Sequence, residues 1–160
     1  MKKVCLLLMA IILCSLSGWS QSSVMLIGEA CLRSSNIPHV KTMLLNEGLT
    51  INKSSELNNK TNLVFENQAD NSYDKLFVVI DKYPGTQTLS EIKFLFPASG
   101  KYYNQWSNEY SQWGYKYDPN AKGGEYREVY TNRQEDYRGK YMGVNLNKKG
   151  WVELTFFRID

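Results

Sequence analysis

The chain has 160 residues, 42% of them hydrophobic, with 19 Lys and Arg against 16 Asp and Glu, one His and three Cys. Lys2 and Lys3 fall in an N-terminal leader, so the 19 basic residues less those two leave 17 against 16 in the remainder, which is near neutral. Binding a phosphate backbone needs clustered positive charge, and here the charges are interspersed, so nucleic acid is not an expected partner.

Residues 1–20 have the three parts of a cleavable secretory signal. Lys2 and Lys3 form the basic region, Val4 to Leu13 the apolar run, and Gly18-Trp19-Ser20 the small residues before a cut at Gln21. A membrane-spanning helix needs about 20 apolar residues. This run is shorter, so no transmembrane segment is expected after cleavage. Cys14 closes the run, but Leu13 precedes it where a lipid-modified Cys would follow a small residue. The expected location is periplasmic or secreted, with residues 21–160 as a single domain. Cys5 and Cys14 leave with the leader, and Cys31 alone cannot form an internal disulfide. Stability then rests on the core, and Cys31 reads as a small buried hydrophobe.

The first predicted element after the leader is a helix capped by Asn36, with Pro38 in its first turn. Val40, Met43, Leu44 and Glu47 run down one side, and Gly48 stops it. Strands are expected at 49–56, 62–67, 74–82 and 89–96, with turns at Asn58-Asn59 and Pro84-Gly85. A second helix is expected over 101–113, with Tyr102, Trp106 and Tyr110 on one face and Gly114 at its end. Strands follow at 115–118, 125–131, 139–147 and 151–158. A loop runs from Pro119-Asn120 to Gly123-Gly124, and Lys148-Lys149-Gly150 makes a hairpin.

Ile92, Phe94 and Phe96 alternate with Glu91, Lys93 and Leu95, and Val152, Leu154 and Phe156 alternate with Trp151, Glu153, Thr155 and Phe157. Such alternation suits an antiparallel sheet covered on one face. The fold class expected is α+β, with helices packed on one face of the sheet.

The order of elements repeats. Gly48-Leu49-Thr50-Ile51 matches Gly114-Tyr115-Lys116-Tyr117, and Leu63-Val64-Phe65-Glu66 matches Glu128-Val129-Tyr130-Thr131. Lys75-Leu76-Phe77-Val78-Val79 matches Lys140-Tyr141-Met142-Gly143-Val144. Glu91 to Phe96 matches Glu153 to Arg158. This reads as a tandem repeat of a helix and four strands, about 37–96 and 101–158. Two such units in a small exported protein resemble the β-lactamase-inhibitor-protein-like fold. The resemblance is one of architecture across blocks 37–96 and 101–158, with no diagnostic motif. It implies that the open sheet face grips a partner protein, and it assigns no contact residues.

No residue constellation points to chemistry. One His and one Cys after the leader do not make a metal site, and no acid spacing fits a calcium loop. His39 lies just after Pro38 at the first helix start. There is no nucleophile elbow and no phosphate loop. Glu66, Glu91, Glu128, Glu135, Asp136 and Glu153 could supply a carboxylate pair, but exposed acids on strands are the ordinary case. No catalytic residue, metal or cofactor is assigned.

Aromatic content is the better lead. Residues 102–141 hold Tyr102, Tyr103, Trp106, Tyr110, Trp113, Tyr115, Tyr117, Tyr126, Tyr130, Tyr137 and Tyr141. Trp106, Tyr110 and Trp113 fit the packing side of a helix. Tyr115, Tyr117, Tyr126 and Tyr130 are the candidate binding residues, as an exposed strand patch. A row of Tyr on a sheet also stabilises it by cross-strand contact. The function expected is a non-catalytic binding module for a cell-envelope or extracellular protein or peptide. Two alternatives stand beside it: a small-ligand or carbohydrate-binding domain on the same face, and a small hydrolase with an unrecognised carboxylate pair.

Overall fold

The computed structural model describes residues 22–57, 60–121, 126–132, 140–147 and 149–158. The leader, the Asn58-Asn59 turn, Gly123-Gly124, Glu135, Asp136 and Tyr137 lie outside the described residues.

Helix α1 spans Val24–Ser34 and α2 spans Ile37–Asn46. Strands β1 to β4 follow at Thr50–Leu57, Lys60–Glu66, Phe77–Lys82 and Leu89–Pro97. Helix α3 covers Lys101–Glu109. Strands β5 to β8 are Tyr115–Tyr117, Glu128–Asn132, Lys140–Leu146 and Trp151–Arg158. All eight strands form one sheet in the order β1-β2-β3-β4-β8-β7-β6-β5, and every pairing is antiparallel. The α+β class is therefore as expected. The last strand in sequence lies in the middle of the sheet.

The seam between β4 and β8 is the centre of the core. It pairs Ile92 with Phe156, Phe94 with Leu154 and Phe96 with Val152. These side chains are buried, as their alternation in the sequence anticipates. Phe94 meets Phe156 edge-on, with ring centroids 5.8 Å apart. Aromatic pairs of this geometry add about 1 kcal/mol beyond the area they bury.

Helix α1 crosses this seam. A Cβ at Gly28 would fall 2.7 Å from the Phe156 ring, so glycine is what lets the helix backbone come this close. Ser23 caps the helix by accepting from the Leu26 N–H at 3.3 Å. Val24, Met25, Ile27, Cys31 and Leu32 are buried along its inner side. No element was expected over 22–35, and α1 fills it. Helix α2 packs against α1. Its cap is the one expected: the Asn36 side chain accepts from the His39 N–H at 3.2 Å.

Three boundaries differ from expectation by three residues or more; one is the strand expected from 125, which begins at Glu128 and leaves Tyr126 ahead of it. The second helix ends at Glu109, because tighter bonds from Gln112 N–H to the Glu109 carbonyl (2.9 Å) and from Gly114 N–H to the Ser111 carbonyl (3.0 Å) turn the chain. The third strand begins at Phe77, since Asn71 caps a short 3-10 turn at Ser72–Asp74 by accepting from the Asp74 N–H at 2.9 Å. Short polar side chains offer the backbone such local bonds in place of a ladder.

Candidate functional site

Register decides which way each candidate tyrosine points. Tyr117 pairs with Tyr130, and Tyr130 with Met142. Met142 pairs with Phe156 at the core. Because side chains alternate along a strand, Tyr115, Tyr117 and Tyr130 all stand on the helix-covered side. Of the four candidates, only Tyr126 stands on the other.

The expectation that these four form an exposed patch is therefore corrected. Tyr115 is fully buried, its ring edge-on to Phe156 at 6.1 Å. Its hydroxyl donates to the Glu29 carboxylate, which also meets the Lys140 ammonium at 3.3 Å. Glu29 on α1, Tyr115 on β5 and Lys140 on β7 thus form one buried polar cluster, which ties the first helix to the second half of the sheet. Tyr130 is buried as well, while Tyr117 is 55% exposed. Only Tyr117 and Tyr126 of the four offer substantial surface.

Among the described residues no helix covers the opposite, open face. There the Tyr126 ring lies directly on Gly143, where a Cβ would fall 2.4 Å from it. The same ring stacks on Phe157 at 5.3 Å and 16°, and Phe157 stacks on Tyr141 at 5.7 Å and 18°. Tyr126, Phe157 and Tyr141 are all half-buried. Thr155, paired with Gly143, is fully buried on this same side. Burial raises the Tyr126 phenol above its ordinary pKa, with Glu91 acting the same way.

Charged groups sit beside the rings. Lys93 pairs with Glu91 at 3.1 Å. Burial alone would lower the Lys93 ammonium, but Glu91, Tyr126 and Glu153 together hold it above its ordinary value. Further along the face, Trp151 packs on Phe77 at 5.9 Å, and Lys75 bridges to Glu66 at 3.9 Å. Of the acids considered as a catalytic pair, Glu135 and Asp136 lie outside the described residues, and Glu91 and Glu153 both act on Lys93. Glu66 and Glu91 each hold a lysine, and Glu128 lies on the helix side, where it accepts from the Tyr130 hydroxyl at 2.9 Å.

On the helix side a second group of rings gathers around the end of α3. Trp106 donates its indole N–H to the Met142 sulfur at 3.3 Å and meets Tyr103, Tyr110 and Tyr130 at 5.6, 5.7 and 6.0 Å. The expected inward face of this helix is present, with Tyr102 and Trp106 buried and Tyr110 partly so.

Among the described residues, no three His, Cys, Asp or Glu side chains gather as a metal site, and no helix is long and apolar enough to cross a membrane. Cys31 is buried, and burial, with the charge of Glu47 adding to it, pushes its thiol up to about 12. It stays a thiol in the folded protein and offers no nucleophile.

Sequence reasoning named Tyr126 but missed Phe157, Tyr141, Trp151 and Lys93 as its companions. The signal was present: each occupies the outward position of an alternating strand. Comparison with protein-family models, curated proteins and solved structures found no match.

Proposed function

We propose that the protein is an exported, non-catalytic module that grips a protein or peptide across its open sheet face. One observation carries the reading. Three half-buried rings, Tyr126, Phe157 and Tyr141, stand in one stacked row on a face that no described helix covers. Tyr and Trp anchors of this kind dominate protein interfaces, because they bring large contact area and lose little side-chain entropy. The Lys93–Glu91 pair and Glu153 beside the row supply polar register.

The same reading treats 37–96 and 101–158 as tandem units of a β-lactamase-inhibitor-protein-like fold. In its support, each block opens with a helix, and the strand order is symmetrical about the β4–β8 seam. Helix α1 stands outside both units.

The test uses the purified protein as bait for a cell-envelope fraction, with Phe157→Ala and Tyr141→Ala beside the wild type. Both variants should stay folded and lose the captured partner. Leu45→Ala, on the outer side of α2, should keep it. If the two face variants melt like the wild type and retain the same partner, the open face is not the interface.

A further inference from the structure

On the open face the Tyr126 ring fills a seat that it does not fully satisfy. The floor of the seat is Gly143, inside β7, where a Cβ would fall 2.4 Å from the ring. Glycine within a strand weakens it, and it stands where something must approach the backbone closely. Beside the floor is Thr155, in register with Gly143 on one side and Lys93 on the other. Its hydroxyl is fully buried and, among the described residues, has no hydrogen-bond partner. Phe157 walls the seat, stacked on the ring at 5.3 Å. Glu91, Lys93 and Glu153 all lie close enough to act on the Tyr126 phenol.

Two features mark the resident ring as exchangeable. Tyr126 belongs to no strand, since the register of β6 on β7 begins at Glu128. It is also only half-buried, while the hydroxyl beneath it is sealed. A buried hydroxyl without a partner carries the full cost of its desolvation. The Tyr126 ring sits where its own loop puts it. A ring that arrives without that tether can bring its hydroxyl onto Thr155 and recover the missing bond.

We propose that the seat over Gly143 and Thr155 receives a tyrosine side chain of the partner, and that Tyr126 holds the place until that ring displaces it. The proposal rests on the open face being the interface. The incoming ring stacks on Phe157 as Tyr126 does, so the row that ends at Tyr141 stays continuous. Its hydroxyl pairs with Thr155. A phenylalanine fits the same walls but leaves Thr155 unpaired, and an aliphatic side chain gives up the stacking as well.

The experiment is an NMR titration with Nα-acetyl-tyrosine amide, and with the phenylalanine amide as control. The wild type should bind the tyrosine amide, and the phenylalanine amide about tenfold more weakly, the scale of one hydrogen bond to a buried group. Tyr126→Ala should bind the tyrosine amide at least about tenfold tighter, because the seat no longer has to be vacated first. Gly143→Val in the Tyr126→Ala background should abolish binding by filling the floor. Thr155→Val should melt no lower than the wild type, having no bond to lose, and should bind the two amides equally. Binding to Tyr126→Ala with none to the wild type would show that the ring is a fixed part of the structure and overturn the proposal. Equal affinity of the wild type for the two amides, or binding that survives Gly143→Val, would also overturn it. If Phe157→Ala and Tyr141→Ala lose the envelope partner while these effects are absent, the exchange fails and the open-face reading stands. If both variants stay folded and keep the partner, both fail.

Discussion

The two faces of strands β5–β8 use aromatic rings in different ways. On the helix side Tyr115 is sealed in, its hydroxyl consumed by Glu29, and its ring is a piece of the core. On the open side Tyr126 covers a glycine and stacks on rings that stay half-exposed. Aromatic rings stand on both sides, yet one set is sealed into the core and the other stays half-exposed. Environment assigns the role, and residue type alone does not.

Mutations can break this contrast. The largest effect is expected on the buried side. Lys140→Ala leaves the Glu29 carboxylate buried beside Tyr115 without its cation, and removing one partner of such a pair costs about 3–5 kcal/mol. Chemical denaturation should show that loss. If the midpoint hardly moves, the cluster does not tie α1 to the sheet. Next comes Gly143→Val, which drives the Tyr126 ring off its seat and should cost about 1–3 kcal/mol, as overpacking does. Combined with Tyr126→Ala, its cost should shrink, because the clashing ring is gone; strict additivity would show that the two residues do not interact.

A smaller effect concerns pH. The Cys31 thiol is raised from 9.0 to about 12 in the folded state. A raised acid keeps its proton longer when folded, so the unfolded chain ionises first. Its contribution is complete below pH 9 and is lost as pH rises toward 12. Melting temperatures of Cys31→Ala should therefore fall less steeply above pH 9 than those of the wild type. Equal slopes would remove Cys31 as a cause. The smallest effect is Tyr117→Ala, which should change stability by about 0.5 kcal/mol or less, as exposed substitutions do. A larger loss would place Tyr117 with Tyr115 in the core.

Much of the fold was legible because strand alternation is a local signal. Ile92, Phe94 and Phe96 declare their buried side without any partner. The side on which Tyr115 and Tyr130 lie was not legible, since β5 has only three residues and a Tyr-Lys-Tyr run looks the same whether its tyrosines point in or out. Burial there depends on Phe156 and Glu29, which come from elsewhere in the chain. Helix α1 escaped notice for a related reason: its apolar run begins just past the expected leader, and only its meeting with the sheet at Gly28 gives it a periodic face. Lys140 reads as an ordinary strand-end charge until Glu29 is placed beside it.

The position of α1 also bears on how the molecule comes together. A ribosome makes Glu29 long before its partners, which lie 86 and 111 residues further on. Strand β8, the last in chain order, must insert between β4 and β7 before the sheet is continuous. Contacts this distant along the chain slow folding, because loop closure comes before its reward. The sheet is therefore completed only after β8 has been made.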